Sequence, residues 1–292
     1  MRYSLLFACL VTFTFCFCGC LDENDDQCLT LRFSIDDKYE TGDFDSRIGN
    51  DIELTTFAGG EAVSSIIIPY EQIHNGECTI ARPKGIVGEV QLVAWGINAD
   101  YQDTKSIYTP VPLGTKLSSV SLTSSIHNSE PHGKHTHAHS PLMRISDAFL
   151  GNVATVVDMP LHPTVCRIEV KMYTSQKRSG LTATIEGVTD KCDLQGNGIG
   201  DDDTYNAKML EKDDTKNLYA TGIVPVYPSR ADQQVAVTIS QNGGNIVRLT
   251  GIGGVPITAS AAEYIVFEYD EDNLSLTIKV DDWTIEGEAS IM

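Results

Sequence analysis

Leu29-Thr30-Leu31-Arg32-Phe33-Ser34-Ile35 alternates apolar and polar residues without a break. A period of two puts Leu29, Leu31, Phe33 and Ile35 on one face, which is the signature of a half-buried β-strand. Outward from it, strand-like runs follow at 51–56, 65–68, 87–95 and 117–122, separated by Gly, Pro, Asn and Asp. The same character returns later in the chain. Cys166, Ile168, Val170 and Met172 share a face, as do Leu181, Ala183 and Ile185, then Val235, Val237 and Ile239. Tyr264–Tyr269 and Leu274–Val280 complete the set, with Asp270–Asn273 as a hairpin turn between them. No long amphipathic helix is readable. Only 201–216 suggests a short one, and its Asp content argues against it. Many short strands with turn signals predict an all-β chain of β-sandwiches, and at about 100–200 residues per domain the length suits two in tandem.

The polar tract 126–144 separates the two halves. It contains His127, His132, His135, His137 and His139, has no apolar period, and reads as a linker. The expected organisation is therefore a domain over 29–125, the His-rich linker over 126–144 and a second domain over 145–292.

The N-terminus carries a different signal. Arg2 precedes an apolar run from Leu5 to Cys18, then Gly19-Cys20, then the acidic stretch Leu21-Asp-Glu-Asn-Asp-Asp26. The run is shorter than the roughly 20 residues that span a bilayer, and the arrangement is that of a secretory signal. A cysteine directly after a small residue looks like a bacterial lipoprotein signal. Residues 1–19 are then removed and Cys20 is acylated. Cys18 is a poorer candidate because Phe17 is large, and an ordinary cleaved signal is the alternative. Residues 20–28 would form an acidic tether between a membrane lipid anchor and the first strand.

The chain has 21 Lys and Arg against 40 Asp and Glu, a formal net charge of −19. That balance repels phosphate backbones and argues against nucleic acid as a partner. With the signal and the lipid cysteine set aside, Cys28, Cys78, Cys166 and Cys192 remain. Four cysteines allow three pairings. Two lie in each half, which favours Cys28–Cys78 and Cys166–Cys192, against four buried free thiols. Export to an oxidising compartment favours disulfides.

Two segments resemble metal sites. His132, His135, His137 and His139 are weak ligand candidates, because a flexible segment loses ordering entropy on binding. Asp193, Asn197, Gly198 and Asp201 sit at positions 1, 5, 6 and 9 of a calcium-loop pattern, but Gln195 and Thr204 stand where ligands belong. A polar interstrand loop is the plainer reading. No Gly-x-Ser-x-Gly, His-Glu-x-x-His or phosphate-loop motif is present. The expectation is a protein that is not an enzyme and needs no cofactor.

Several motifs occur in a meaningful order. They are Cys20-Leu-Asp-Glu-Asn-Asp-Asp-Gln-Cys28, the strand 29–35, Val90-Gln-Leu-Val-Ala-Trp-Gly96, Ser146-Asp-Ala-Phe-Leu-Gly151 and Asp281-Asp-Trp283. In this order the chain resembles the FimB-type fimbrial anchoring lipoproteins of Bacteroidetes. The resemblance implies two transthyretin-like β-sandwiches and a surface-exposed lipoprotein of the outer membrane. It also implies a structural role: anchoring a fimbrial polymer, limiting its length and joining a stalk subunit by β-strand exchange. Trp95 and Phe149 are expected in the core, and Gly96 and Gly151 in turns. The alternative is a surface lipoprotein that binds a small ligand, glycan or metal through 127–139 or 193–203.

Overall fold

The computed structural model describes residues 28–37, 48–98, 111–123, 141–151, 154–213, 217–252 and 255–288. Among them there is no α-helix, only single 3-10 turns at Tyr70–Gln72 and Leu117–Ser119. The first strands are β1 (Cys28–Ile35), β2 (Ile48–Ala58), β3 (Glu61–Ile68), β4 (Glu77–Ala81) and β5 (Gly88–Asn98). Next come β6 (Ser121–Thr123), β7 (Pro141–Leu150), β8 (Thr155–Pro163) and β9 (Cys166–Tyr173). They are followed by β10 (Leu181–Asp193), β11 (Gly198–Lys208), β12 (Leu210–Asp213), β13 (Leu218–Val226) and β14 (Ala236–Gln241). The last are β15 (Gly244–Leu249), β16 (Tyr264–Asp270), β17 (Ser275–Val280) and β18 (Trp283–Glu288).

The all-β expectation holds. The segment 201–216, where a helix was conceivable, is strand in β11 and β12 as far as Asp213. Its alternation of Asp203 and Tyr205 inward with Asp202 outward suits a pleat rather than a helix.

The first seven-stranded path runs β3-β2-β5-β7-β8-β1-β4. It turns a corner between β7 and β8, which share only the pairs Leu142 with Pro163 and Met143 with His162. The path therefore folds into two layers, as where strands pass between packed sheets. Leu29, Leu31 and Phe33 of β1 meet Ile52, Leu54, Leu92 and Leu142 of the facing layer in one core. Each fully buried Leu, Ile or Phe contributes about 1.5–3 kcal/mol, so the alternation of β1 alone accounts for seating it. β1 lies between β4, antiparallel, and β8, parallel. Pro160, which lacks an N–H, sits in the middle of β8, where that strand has β1 on one side and no described neighbour on the other.

The second unit packs β11-β10-β14-β15, with β6 added to β10, against β12-β13-β9-β16-β17-β18. The two units share one plan. In the first, β1 pairs β4 antiparallel and β8 parallel; in the second, β9 pairs β13 antiparallel and β16 parallel. The layer β3-β2-β5-β7 matches β11-β10-β14-β15 strand for strand. Two further strands, β17 and β18, extend the second unit beyond β16, on the side that β8 leaves open in the first.

Strand pairing corrects the expected division at 126–144. β7 pairs with β5 from Leu150 back to Pro141, and β8 pairs with β1, so 141–163 completes the first unit. β6, just before the polar tract, pairs with β10 in the second unit. The tract thus joins β6 of the second unit to β7 of the first, and the chain passes to the second unit for good between β8 and β9. A polar segment that joins strands of two interleaved units has the same composition as a linker between successive domains, which is why the sequence pattern points there.

Candidate assembly surface

At the start of the first unit, β1 occupies its slot with full register on both sides: Cys28 to Arg32 against β4 and Leu29 to Ile35 against β8. The next residues tie it to the second unit. The Asp37 carboxylate receives both terminal nitrogens of Arg167 on β9, Nη1 at 3.2 Å to Oδ1 and Nη2 to Oδ2, and both side chains are 1% exposed. A bidentate, charge-assisted pair of this kind sets orientation as well as energy. Beside it, His162 Nδ1 lies 3.3 Å from Asp36.

A second polar node sits on the outer face of β2 and β5. Glu53 is buried, and its carboxylate accepts from Trp95 Nε1 at 2.8 Å, the Val111 amide at 2.9 Å and Ser65 Oγ at 3.0 Å. Phe57, Val93, Trp95 and Met143 on this face join the cluster that contains the whole core of the second unit. Trp95 is therefore a core residue, as expected. Gly96 lies inside β5, paired with Ile52 and Leu142, not in a turn.

Phe149 departs from expectation: it is 63% exposed. Asp147 and Phe149 share the outward face of β7, while Leu142 and Leu150 face the core. They line a groove of about 630 Å³ with Glu89 and Gln91 of β5 and the Gly59-Gly60 turn. That turn joins β2 and β3 with φ of 59° and 82°, both left-handed, as a two-residue hairpin of this twist requires.

At the other end of the chain, Asp281-Asp282 makes the tight turn between β17 and β18, with Val280 opposite Trp283. Asp281 has φ of 52°, and its carboxylate accepts from the Tyr264 amide at 2.9 Å. Asp281-Asp-Trp283 thus shapes the C-terminal hairpin. At Gly287 a Cβ would lie 2.3 Å from Ile252 Cγ2, so β18 fits closely over that side chain.

The two expected disulfides do not form. Cys78, Cys166 and Cys192 are buried free thiols. Cys28 is opposite Ala81 and Cys78 is opposite Leu31. That offset of three residues is about 10 Å along the strand, beyond disulfide reach. Cys166 and Cys192 stand on opposite layers of the second unit. Burial, with the Glu77 charge as a smaller cause, pushes the Cys78 thiol up to about 11. Burial and then Asp193 push Cys192 up to about 12, and burial holds Cys166 well above the ordinary value. All three stay protonated and inert.

The segment 193–203 is a hairpin between β10 and β11. Asp193 uses its carboxylate on the amides of Gln195 and Asn197 at 2.9 and 2.8 Å and on Asn197 Nδ2 at 3.0 Å. These bonds stabilise the turn internally, and among the described residues no cluster of His, Cys, Asp or Glu could hold a metal. Cys20 and His132, His135, His137 and His139 lie outside the described residues.

Residues 21–288 match the fimbrillin-A associated anchor proteins Mfa1 and Mfa2. The chain belongs to the Mfa2 family. Its fold is similar to that of the fimbrial anchor protein Mfa2 from Porphyromonas gingivalis, with a TM-score of 0.58 and 11% identity over 90% of this chain and 99% of that one. A candidate polysaccharide-binding protein of Bacteroides thetaiotaomicron superimposes with a TM-score of 0.63 at 15% identity, covering 90% and 98% of the two chains. A candidate adhesin of Bacteroides ovatus gives 0.61 at 12%, covering 90% and 95%. No curated protein sequence matches significantly. Membership in the Mfa2 family makes this a fimbrium-associated protein of the cell surface that associates with fimbrial subunits, and not an enzyme.

Proposed function

We propose that the chain is the lipid-anchored base of a fimbrium. Cys20 carries the acyl chains, residues 20–27 clear the headgroups of the outer membrane, and the folded units hold the first stalk subunit. Two or more acyl chains are needed for a stable anchor, since one binds only marginally. The net charge of −19 gives no electrostatic attraction to an anionic surface, so the lipid supplies the attachment.

The observation that carries this reading is the seating of β1. The strand that directly follows the tether fills the slot between β4 and β8 in its own unit. A unit completed by its own first strand offers no vacancy there for a strand from another subunit. In a joint made by β-strand exchange, this chain is then the donor. The hairpin β17–β18, which lies outside the seven-strand plan the two units share, is the segment available to donate. A base that donates and does not accept also ends the polymer, which is the basis for its limiting length.

The test is a strain carrying Cys20→Ala. Stalk subunits are expected to polymerise and to be shed into the medium, with the chain lost from the membrane fraction. Fimbriae that stay cell-bound and of normal length in that strain would overturn the proposal.

A further inference from the structure

Asp147-x-Phe149-x-Gly151 is more than a marker of the fold. Gly151 has no left-handed φ to explain it. Instead, a Cβ there would stand 3.1 Å from Cε1 and 3.5 Å from Cδ1 of Phe149. The missing side chain lets the Phe149 ring lie against the backbone, and that exposed ring forms a wall of the groove of about 630 Å³. The pairing of β5 with β7 sets the rest of the site. Gln91 is directly opposite Asp147, and Glu89 is directly opposite Phe149. Side chains opposed in this way are about 5 Å apart at Cβ, so two carboxylates, one carboxamide and one aromatic ring converge. The Gly59-Gly60 turn closes one side without side chains.

The charge of the site decides what it suits. None of the ion pairs or side-chain hydrogen bonds formed among the described residues involves Glu89, Gln91 or Asp147. A neutral ligand would desolvate two carboxylates without a counter-charge, which is costly. A cation would be attracted by both carboxylates and by the face of Phe149 together. Guanidinium suits best, because its plane stacks on a ring while its edge donates to carboxylates. The groove is larger than one side chain and leaves room for the neighbouring backbone. We propose that it receives an arginine side chain from an extended segment of a partner polypeptide. The site is distinct from the β17–β18 hairpin, and the proposal does not depend on the lipid anchor.

The test uses nitrogen-15-labelled full chain and the peptide acetyl-Thr-Val-Arg-Val-Thr-amide at millimolar concentration. Amide shifts are expected at 89–91 and 147–149, weakening as salt rises. Replacing arginine by uncharged citrulline should weaken binding about tenfold or more. So should the double variant Glu89→Gln, Asp147→Asn, and Phe149→Ala; all three positions are exposed, and the remaining amide signals report that each variant is folded. Failure of the arginine peptide to shift these amides would overturn the proposal. So would equal binding of the citrulline peptide, indifference to the three substitutions, or preferential occupation by a neutral oligosaccharide such as maltotriose.

Discussion

Glu53 shows how much can rest on one side chain. Its two oxygens serve three donors in a dry setting, one from each of β3, β5 and the 111 segment. Glu53→Gln supplies only one acceptor oxygen and turns an N–H₂ toward a donor. Each buried donor left without a partner costs about 1–3 kcal/mol, so the variant should lose about 2 kcal/mol or more in a denaturant titration. The thiols give a pH prediction. Cys78 and Cys192 have folded values raised to about 11 and about 12 from 9.0. Their contribution to stability is complete below about pH 9, where both folded and unfolded thiols are protonated. It is lost as pH rises toward the folded values, because only the unfolded thiols ionise first. Replacing both with Ala should flatten the fall in melting temperature between pH 9 and 11. At this scale the sequence was legible where residue type decides environment, as for Trp95. It was not where position in the pleat decides. Phe149 and Leu150 are adjacent large apolar residues, yet one is outside and one in the core because neighbours on a strand point to opposite faces. The cysteines failed for a similar reason: proximity in the chain says nothing about the register that separates Cys28 from Cys78.

Among the elements, β1 was the plainest in the sequence because one of its faces meets the core and the other is polar over 30–34. Leu31→Asp places an unpaired carboxylate in a site of zero exposure, and should unfold the first unit, seen as loss of the near-ultraviolet signal of Trp95. β8 was not read as a strand. Its prolines at 160 and 163 and polar Asp158 resemble punctuation, and only its long pairing with β1 reveals the strand. β18 gives the test of donation. Gly287→Val should lift it from Ile252 while β17 keeps Leu276 and Ile278 in the core. The chain is expected to remain folded by circular dichroism and to stop co-purifying with stalk subunits. Retained co-purification at wild-type yield would rule β18 out as the donated strand.

For the whole molecule, the sequence conveyed the all-β class and the doubling but misplaced the seam, since composition reports exposure and not connectivity. The twofold plan itself was hidden because a shared strand order needs only a similar in-out pattern, which different residues can supply. Interleaving has a checkable result. A protease cut within 124–140 separates β6 from β7 in the chain, yet β7 and β8 remain paired in the first unit and β6 in the second. The nicked halves should elute together in native size exclusion and separate only in denaturant. The seating of β1 also has a mechanical meaning. A pull applied through the residues before Cys28 acts along the strand, parallel to β8 and antiparallel to β4, so it loads both ladders in shear. The bonds of seven paired positions with β8 and five with β4 then resist at once, not one after another as in peeling. The Asp37–Arg167 pair at the far end of β1 passes tension on to the second unit. In single-molecule stretching from an N-terminal handle to a C-terminal one, β1 should yield in one high-force event. Arg167→Met should make the two units extend separately and at lower force.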